Sequence, residues 1–206
     1  MRKNLIDLFF LELSKETNSP TEIILTGAAA GVLYGHIRMS LDLDFEIRPK
    51  VQNEAYLSYL YDLVKKISSR TGIEVNYSED IGHWSMIDFL EYRAKAVPYK
   101  KMGHLDIKLM APEYWTIGKI ARFLEIDTSD VIHVIQKKKI GPDDLIRLWA
   151  RAFKASQLSL TKRQFLDHVN IFIMTYGKRA WGKNFAVESS IRKFKKQVGL
   201  TRIGDG

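Results

Sequence analysis

Between Glu22 and Tyr34 the chain changes its local preference across a single residue. Glu22-Ile23-Ile24-Leu25-Thr26 is rich in apolar and β-branched residues and reads as a short, buried strand. Gly27 follows, and then a small-residue stretch, Ala28-Ala29-Ala30-Gly31-Val32-Leu33-Tyr34, reads as a helix. A strand that passes into a helix through one glycine belongs to a chain that layers helices on a sheet. The pattern continues in that sense. Residues 4–17 and 53–69 read as amphipathic helices, the second with Leu57, Leu60, Tyr61, Val64 and Ile67 as its buried stripe. Leu41 to Ile47, Ile73 to Val75, Ser85 to Phe89, Tyr92 to Val97 and His104 to Met110 read as strands.

Ala111-Pro112-Glu113 changes the character of the chain, because proline is well placed at the first position of a helix. From there the pattern is helical, with helices expected near 112–124, 128–138, 142–155, 161–176 and 184–198. Gly141-Pro142 marks a break and restart. The expected class is therefore α/β (α+β): a mixed sheet with flanking helices over residues 1–111, then a helical bundle over residues 112–206.

Cysteine is absent, which excludes disulfides, thiolate zinc sites and a cysteine nucleophile and fits a cytoplasmic protein. No apolar stretch approaches the ~20 residues of a membrane span, and Asp7 and Glu12 interrupt the N-terminal apolar run, which reads as a helix and not a secretory signal. Among the histidines, His36, His83, His104, His133 and His168, no two stand four apart, as a helical zinc pair requires. Gly-x-Ser-x-Gly, the Walker loop and Gly-x-Gly-x-x-Gly are all missing.

The net charge of +8 is uneven. Residues 1–150 hold 20 Lys and Arg against 21 Asp and Glu, a net of −1; residues 151–206 hold 12 against three, a net of +9. That excess suits RNA, tRNA included, or another polyanion. It is equally the charge of a solvated helical surface. Trp149, Tyr176 and Trp181 lie in these helices, where core packing competes with base stacking, and Lys137-Lys138-Lys139 extends the basic surface.

Gly27 to Asp44 forms one unit of 18 residues. Asp42 and Asp44 are separated by one residue, so on a strand both carboxylates face the same way. Two like charges side by side favour a cation between them, and an all-oxygen set suits Mg²⁺ or Mn²⁺. Gly27 and the helix start supply backbone N–H groups and a positive dipole end, which suit a triphosphate. Asp106 is a lone carboxylate between apolar residues, and Asp88 lies on another apolar strand; burying such a group without a partner is costly, which points to a metal or catalytic role, with turn capping the alternative for both. Lys119 and Arg122 share a helix side at i and i+3, and Asp127 reads equally well as a simple helix cap.

The run Leu25-Thr26-Gly27-Ala28 to Arg38-Met39-Ser40-Leu41-Asp42-Leu43-Asp44 resembles the signature of the nucleotidyltransferase superfamily. Within it, the branch of AbiEii-type abortive-infection and toxin–antitoxin proteins is the nearest likeness, through Arg38, Ser40, Asp42 and Asp44 and then Lys119, Arg122, Asp127 and Asp130. Ala28 departs from the usual Gly or Ser, which removes a hydroxyl and keeps an N–H. The likeness covers residues 22–135. It implies a nucleotidyltransferase-like sheet and a transfer of a nucleoside monophosphate from a triphosphate to a hydroxyl of a protein or RNA. It assigns Asp42, Asp44 and Asp106 to Mg²⁺ and gives Asp106 the role of general base. It assigns Gly27, Ala28, Arg38, Ser40, Lys119 and Arg122 to the nucleotide. Lys119 contacts phosphate in this scheme, and Asp127 or Asp130 orients the basic pair. A toxin–antitoxin or phage-defence role with an antitoxin partner follows by analogy. The alternative is a non-catalytic nucleotide- or RNA-binding protein on the same fold.

Overall fold

A computed structural model describes residues 3–35, 42–51 and 53–200. The chain divides into two compact units, Met1–Ile81 with Tyr92–Ala111, and Gly82–Glu91 with Pro112–Gly206. One division falls after Ala111, and the ten residues 82–91 group with the helices.

The first unit contains helix α1 (Lys3–Glu16), strand β1 (Thr21–Leu25), α2 (Gly27–Leu33), β2 (Asp42–Pro49), α3 (Glu54–Thr71), β3 (Glu74–Ser78), the short α4 (Tyr92–Lys95), β4 (Val97–Met102) and β5 (Leu105–Leu109). The strands form one mixed sheet in the order β3-β2-β1-β5-β4. β1 runs parallel to β5 and antiparallel to β2; β3 is parallel to β2, and β4 is antiparallel to β5. Side chains alternate between the two faces of a strand, and paired residues share a face. Ile23, Leu25, Leu43, Phe45, Ile47, Leu105, Ile107 and Leu109 therefore share one face, and all are buried. Phe9 and Phe10 of α1 meet the ring of Phe45 at 5.9 and 5.5 Å, and Tyr77 stacks on Phe45 at 5.9 Å. The opposite face carries Glu22, Asp42, Asp44, Glu46, Arg48, Asn76, Asp106 and Lys108. Pro98, Lys100 and Lys101 occupy the edge strand β4, where they blunt pairing with a further strand.

The second unit contains α5 (Pro112–Arg122), α6 (Glu125–Lys138), α7 (Pro142–Ala155), α8 (Leu160–Ile171), α9 (Gly177–Trp181) and α10 (Val187–Val198). Trp149 is fully buried, donates from Nε1 to Thr116 Oγ1 at 2.9 Å and meets Phe172 edge-on at 5.6 Å. Trp181 donates to the carbonyl of Ile140 at 3.0 Å and tilts against Trp149 and Phe185. These tryptophans have taken the core-packing alternative. The helix expected over 161–176 is α8 followed by a π-helical turn, Phe172–Tyr176. Gly177 ends that turn against Phe185, whose ring leaves no room for a Cβ.

Two of the expected strands are absent from this sheet. Ser85 to Phe89 is a bent loop: Ile87 and Phe89 are buried anchors between exposed neighbours, so period-two burial arises without a strand ladder. The Asp88 N–H donates to Ser156 Oγ at 2.9 Å, a side-chain partner instead of a neighbouring backbone. Tyr92 to Lys95 is a helical turn, and the strand begins only at Val97.

Glu91 fastens residues 82–91 to the helices of their own unit. Arg151 reaches its two carboxylate oxygens at 2.8 and 2.7 Å, and the Tyr114 hydroxyl donates at 2.8 Å. The Arg151 hydrogen bonds, helped by the Glu91 backbone and Tyr114, hold this carboxyl down at about 2, against 4.5 for an ordinary glutamate. A depressed carboxylate pKa stabilises the fold above the unfolded value, and that stabilisation is lost as pH falls through the folded value. The pair is half-exposed, so its worth is about 0.2–1 kcal/mol. Arg151→Met is expected to lower the unfolding free energy from urea melts at pH 6 by that amount, with the gap from the native protein narrowing between pH 4.5 and pH 2. A gap that stays constant across this range refutes the assignment.

Candidate functional site

β2 presents Asp42, Asp44 and Glu46 in a row on the polar face of the sheet, each two residues from the next. Asn76 stands opposite Asp44 on β3, and its amide donates to Asp42 Oδ2 at 2.8 Å and to Asp44 Oδ1 at 3.0 Å. One side-chain amide thus holds two like charges side by side. Gly27 adopts φ +60°, and a Cβ built on it would stand 1.7 Å from Asp44 Oδ2. The turn between β1 and α2 therefore closes directly on the Asp44 carboxylate, and only a residue without a side chain leaves that space open. The Thr26 N–H donates to the Asp44 carbonyl at 2.9 Å, which ties the turn to the backbone of β2. Ala28 is in the first turn of α2, where N–H groups have no carbonyl partner within the helix.

Glu46 is the residue that the sequence reading passed over. It is 1% exposed. Arg93 donates to it from Nε at 2.8 Å and from a terminal nitrogen at 3.1 Å; the Ile81 N–H and the Tyr92 hydroxyl complete the set. Burial, followed by the Glu46 charge, pushes the Tyr92 phenol well above its ordinary value, so it remains a donor. Hydrogen bonding to Glu46 raises Arg93 further. Glu46 is thus a neutralised buried anion that anchors β2 beside the two outward acids. The period-two run Asp42-x-Asp44-x-Glu46 was its visible signal. Asn76 gave none, being set by strand register.

Asp106 does not join the pair. It is level with Glu22 on β1 and, through it, with Arg48 on β2, so it is two strands across from β2 and four residues along from the level of Asp44. At about 3.4 Å per residue and 4.8 Å per strand, this is roughly 16 Å from Asp44. Lys50 binds Asp106 at 2.9 Å and holds its carboxyl below the usual range. The assignments of Asp106 to the metal and as general base are therefore corrected: it belongs to a charge pair at the other end of the sheet. Asp88 takes the turn-capping alternative, its carboxylate accepting from the Leu90 N–H where Leu90 adopts φ 56°. Arg38 and Ser40, with His36, lie outside the described residues.

In the helical unit, Lys119 is 4% exposed. Its ammonium binds Asp127 Oδ1 at 3.0 Å and Asp130 Oδ2 at 2.8 Å, 5.1 Å above the Trp115 ring. Arg122 grips Asp127 with two bonds of 2.7 and 2.6 Å, while 57% of its side chain remains exposed. Burial alone would raise the Asp127 carboxyl; the Arg122 and Lys119 charges outweigh it and hold it below the usual range. Asp127 also accepts from the Leu124 N–H at 3.3 Å, so it is at once ion partner and helix cap. Lys119, expected at phosphate, has its charge paired with two buried carboxylates. Asp127 thus binds both Lys119 and Arg122, and Asp130 binds Lys119.

No protein-family profile, no curated protein and no solved structure matches this chain. Among the described residues, no three Asp, Glu or His side chains are gathered closely enough to hold a metal unaided. The Asp42 and Asp44 pair fits Mg²⁺ in the way that ion is ordinarily bound, through one or two carboxylates with the other positions filled by water and phosphate oxygens. No helix among the described residues is long and apolar enough to cross a membrane.

Proposed function

We propose that this chain binds a nucleoside triphosphate with Mg²⁺ at Asp42 and Asp44 and transfers its nucleoside monophosphate to a hydroxyl of a protein or RNA. The observation that carries this reading is the closure of the Gly27 turn on Asp44, beside an Asp42 held parallel by Asn76. A strand end bearing two same-face acids thus meets a backbone turn at the head of a helix, one side suited to a cation and the other to phosphate oxygens. Asp42 and Asp44 would hold the metal, which would supply neutralisation of the charge that develops in the transfer. The acceptor hydroxyl gives its proton to solvent as its oxygen bonds to the α-phosphorus, the bond from that phosphorus to the bridging oxygen breaks, and pyrophosphate leaves. The backbone N–H groups of the Gly27 turn face the phosphates, Asp42 and Asp44 would hold the cation beside them, and Glu46 with Arg93 keeps β2 in place.

One observation favours a second reading, nucleotide binding without turnover: Asp106, the candidate third acid, is paired with Lys50 away from the site. A toxin–antitoxin role rests on the sequence resemblance alone.

Calorimetry with each nucleoside triphosphate, with and without Mg²⁺, tests the site. Binding is expected to require the metal and to weaken at least a hundredfold in Asp42→Asn/Asp44→Asn, about 3 kcal/mol. Metal-independent binding that survives in the variant refutes the site. Pyrophosphate release with protein and RNA acceptors then separates transfer from binding alone.

A further inference from the structure

The loop between α7 and α8 opens on a cavity of about 430 Å³, lined by Phe153, Leu158, Ser159, Leu160, Lys162, Arg163 and Leu166. This volume lies within the range of ligand-binding clefts, roughly 300–1,000 Å³. Four of the seven lining residues are large and apolar, and none is acidic. Leu158 is 95% exposed and Leu160 is 71% exposed. Leucines this bare at the mouth of an apolar cavity are the arrangement of a surface that a partner covers.

The cationic rim is fixed in place. Lys162 lies over the Phe153 ring at 4.8 Å and donates to the Ser156 carbonyl at 2.7 Å. The Ser159 hydroxyl caps α8 by accepting from the Lys162 N–H at 3.0 Å. Arg163 is exposed beside it. The whole stretch from residue 151 to 206 carries a net charge of +9, so its field draws negative partners towards this mouth.

We propose that this cavity docks an acidic segment of another protein that carries a large apolar side chain, the apolar group entering between Phe153, Leu160 and Leu166 and the carboxylates meeting Lys162 and Arg163. Charge complementarity selects an acidic partner, and the apolar interior selects an anchor that charge alone does not provide. A base-stacking nucleic acid finds one ring here, Phe153, already covered by Lys162. A small enclosed ligand leaves Leu158 bare. A protein segment satisfies both features. This reading is independent of the triphosphate site.

The test uses the full chain and a fluorescein-labelled amphipathic peptide of 16 residues with Leu and Phe four apart on a Glu-rich helix. Anisotropy is expected to show saturable binding, weakened at least tenfold when Ala replaces the Leu and Phe, when Lys replaces Glu, and in the Leu158→Ser/Leu160→Ser and Lys162→Glu variants of the protein. Both leucines are exposed, so the double variant retains its fold, which circular dichroism verifies. Amide shifts in ¹⁵N-labelled protein are expected to cluster at residues 153–166. No peptide binding, equal binding of the Ala peptide, indifference to the Leu158→Ser/Leu160→Ser change, or shifts centred elsewhere each overturns the proposal. So does a single-stranded RNA oligomer that perturbs residues 153–166 while the peptide does not.

Discussion

Gly27→Ala is expected to abolish metal-dependent triphosphate binding and to destabilise the fold by more than its backbone conformation alone accounts for. A left-handed backbone costs a residue with a side chain about 1–2 kcal/mol. That part has an internal control in Gly72, which ends α3 at φ +65° with nothing within 4 Å of a Cβ. Gly72→Ala therefore measures the conformational cost by itself. At Gly27 the new methyl would also overlap the Asp44 carboxylate, 1.7 Å from Oδ2 and 2.6 Å from Cγ. Either Asp44 rotates away from Asn76 or the turn moves off β2, and both outcomes take apart the proposed site. Denaturant midpoints of the two variants, with calorimetry on Gly27→Ala, decide the matter. Equal destabilisation with binding intact would show that the turn yields without disturbing Asp44.

Lys119→Met is the second large effect. It leaves Asp130 without its ammonium partner and Asp127 with Arg122 alone, both carboxylates being almost wholly buried. Removing one member of a buried ion pair costs about 3–5 kcal/mol, because the remaining charge has lost its compensation. The pH dependence distinguishes this from lost packing. In the native protein the Asp127 carboxyl is held down, so its stabilisation is present above about pH 4 and falls away in acid. In the variant Asp127 has lost one of the two charges that outweigh its burial, so its carboxyl is held down less, and less stability is lost in acid. The gap between the two proteins should therefore shrink from pH 7 towards pH 3, as urea melts at several pH values would show. Asp130→Asn on top of Lys119→Met should recover part of the loss at pH 7. A pH-independent gap would mean that the charges are not the source.

These two sites differ in how far the sequence foretold them. The same-face geometry of Asp42 and Asp44 was legible because strand periodicity is local, and the glycine between strand and helix was legible for the same reason. Asp106 was not, because a carboxylate flanked by leucine and isoleucine has the same local pattern at any height on the sheet. Its height was decided by register, and its partner Lys50 is 56 residues away in the chain. Lys119 and Arg122 do share a helix side, but spacing does not say whether that side meets water or two buried aspartates. Ser85 to Phe89 imitated a strand because two loop anchors, Ile87 and Phe89, happen to alternate with exposed residues. The place of Asp106 was therefore decided by long-range pairing, while, Ser85 to Phe89 and Tyr92 to Lys95 apart, the elements built on local periodicity lie within a few residues of where they were placed.

The grouping of residues 82–91 with the helices bears on how this chain can be made and cut. The backbone passes from one unit to the other three times, after residues 81, 91 and 111. A stop after Ala111 would not release a finished N-terminal domain. It would leave Phe89 without the Gly118 turn it packs on, Asp88 without Ser156, and Glu91 without Tyr114 and Arg151. On the ribosome, residues 82–91 emerge before every one of these partners, the last of them 65 residues later. The helical unit therefore completes its fold around a strap that has been waiting in solvent, and no single cleavage of the chain yields two whole halves.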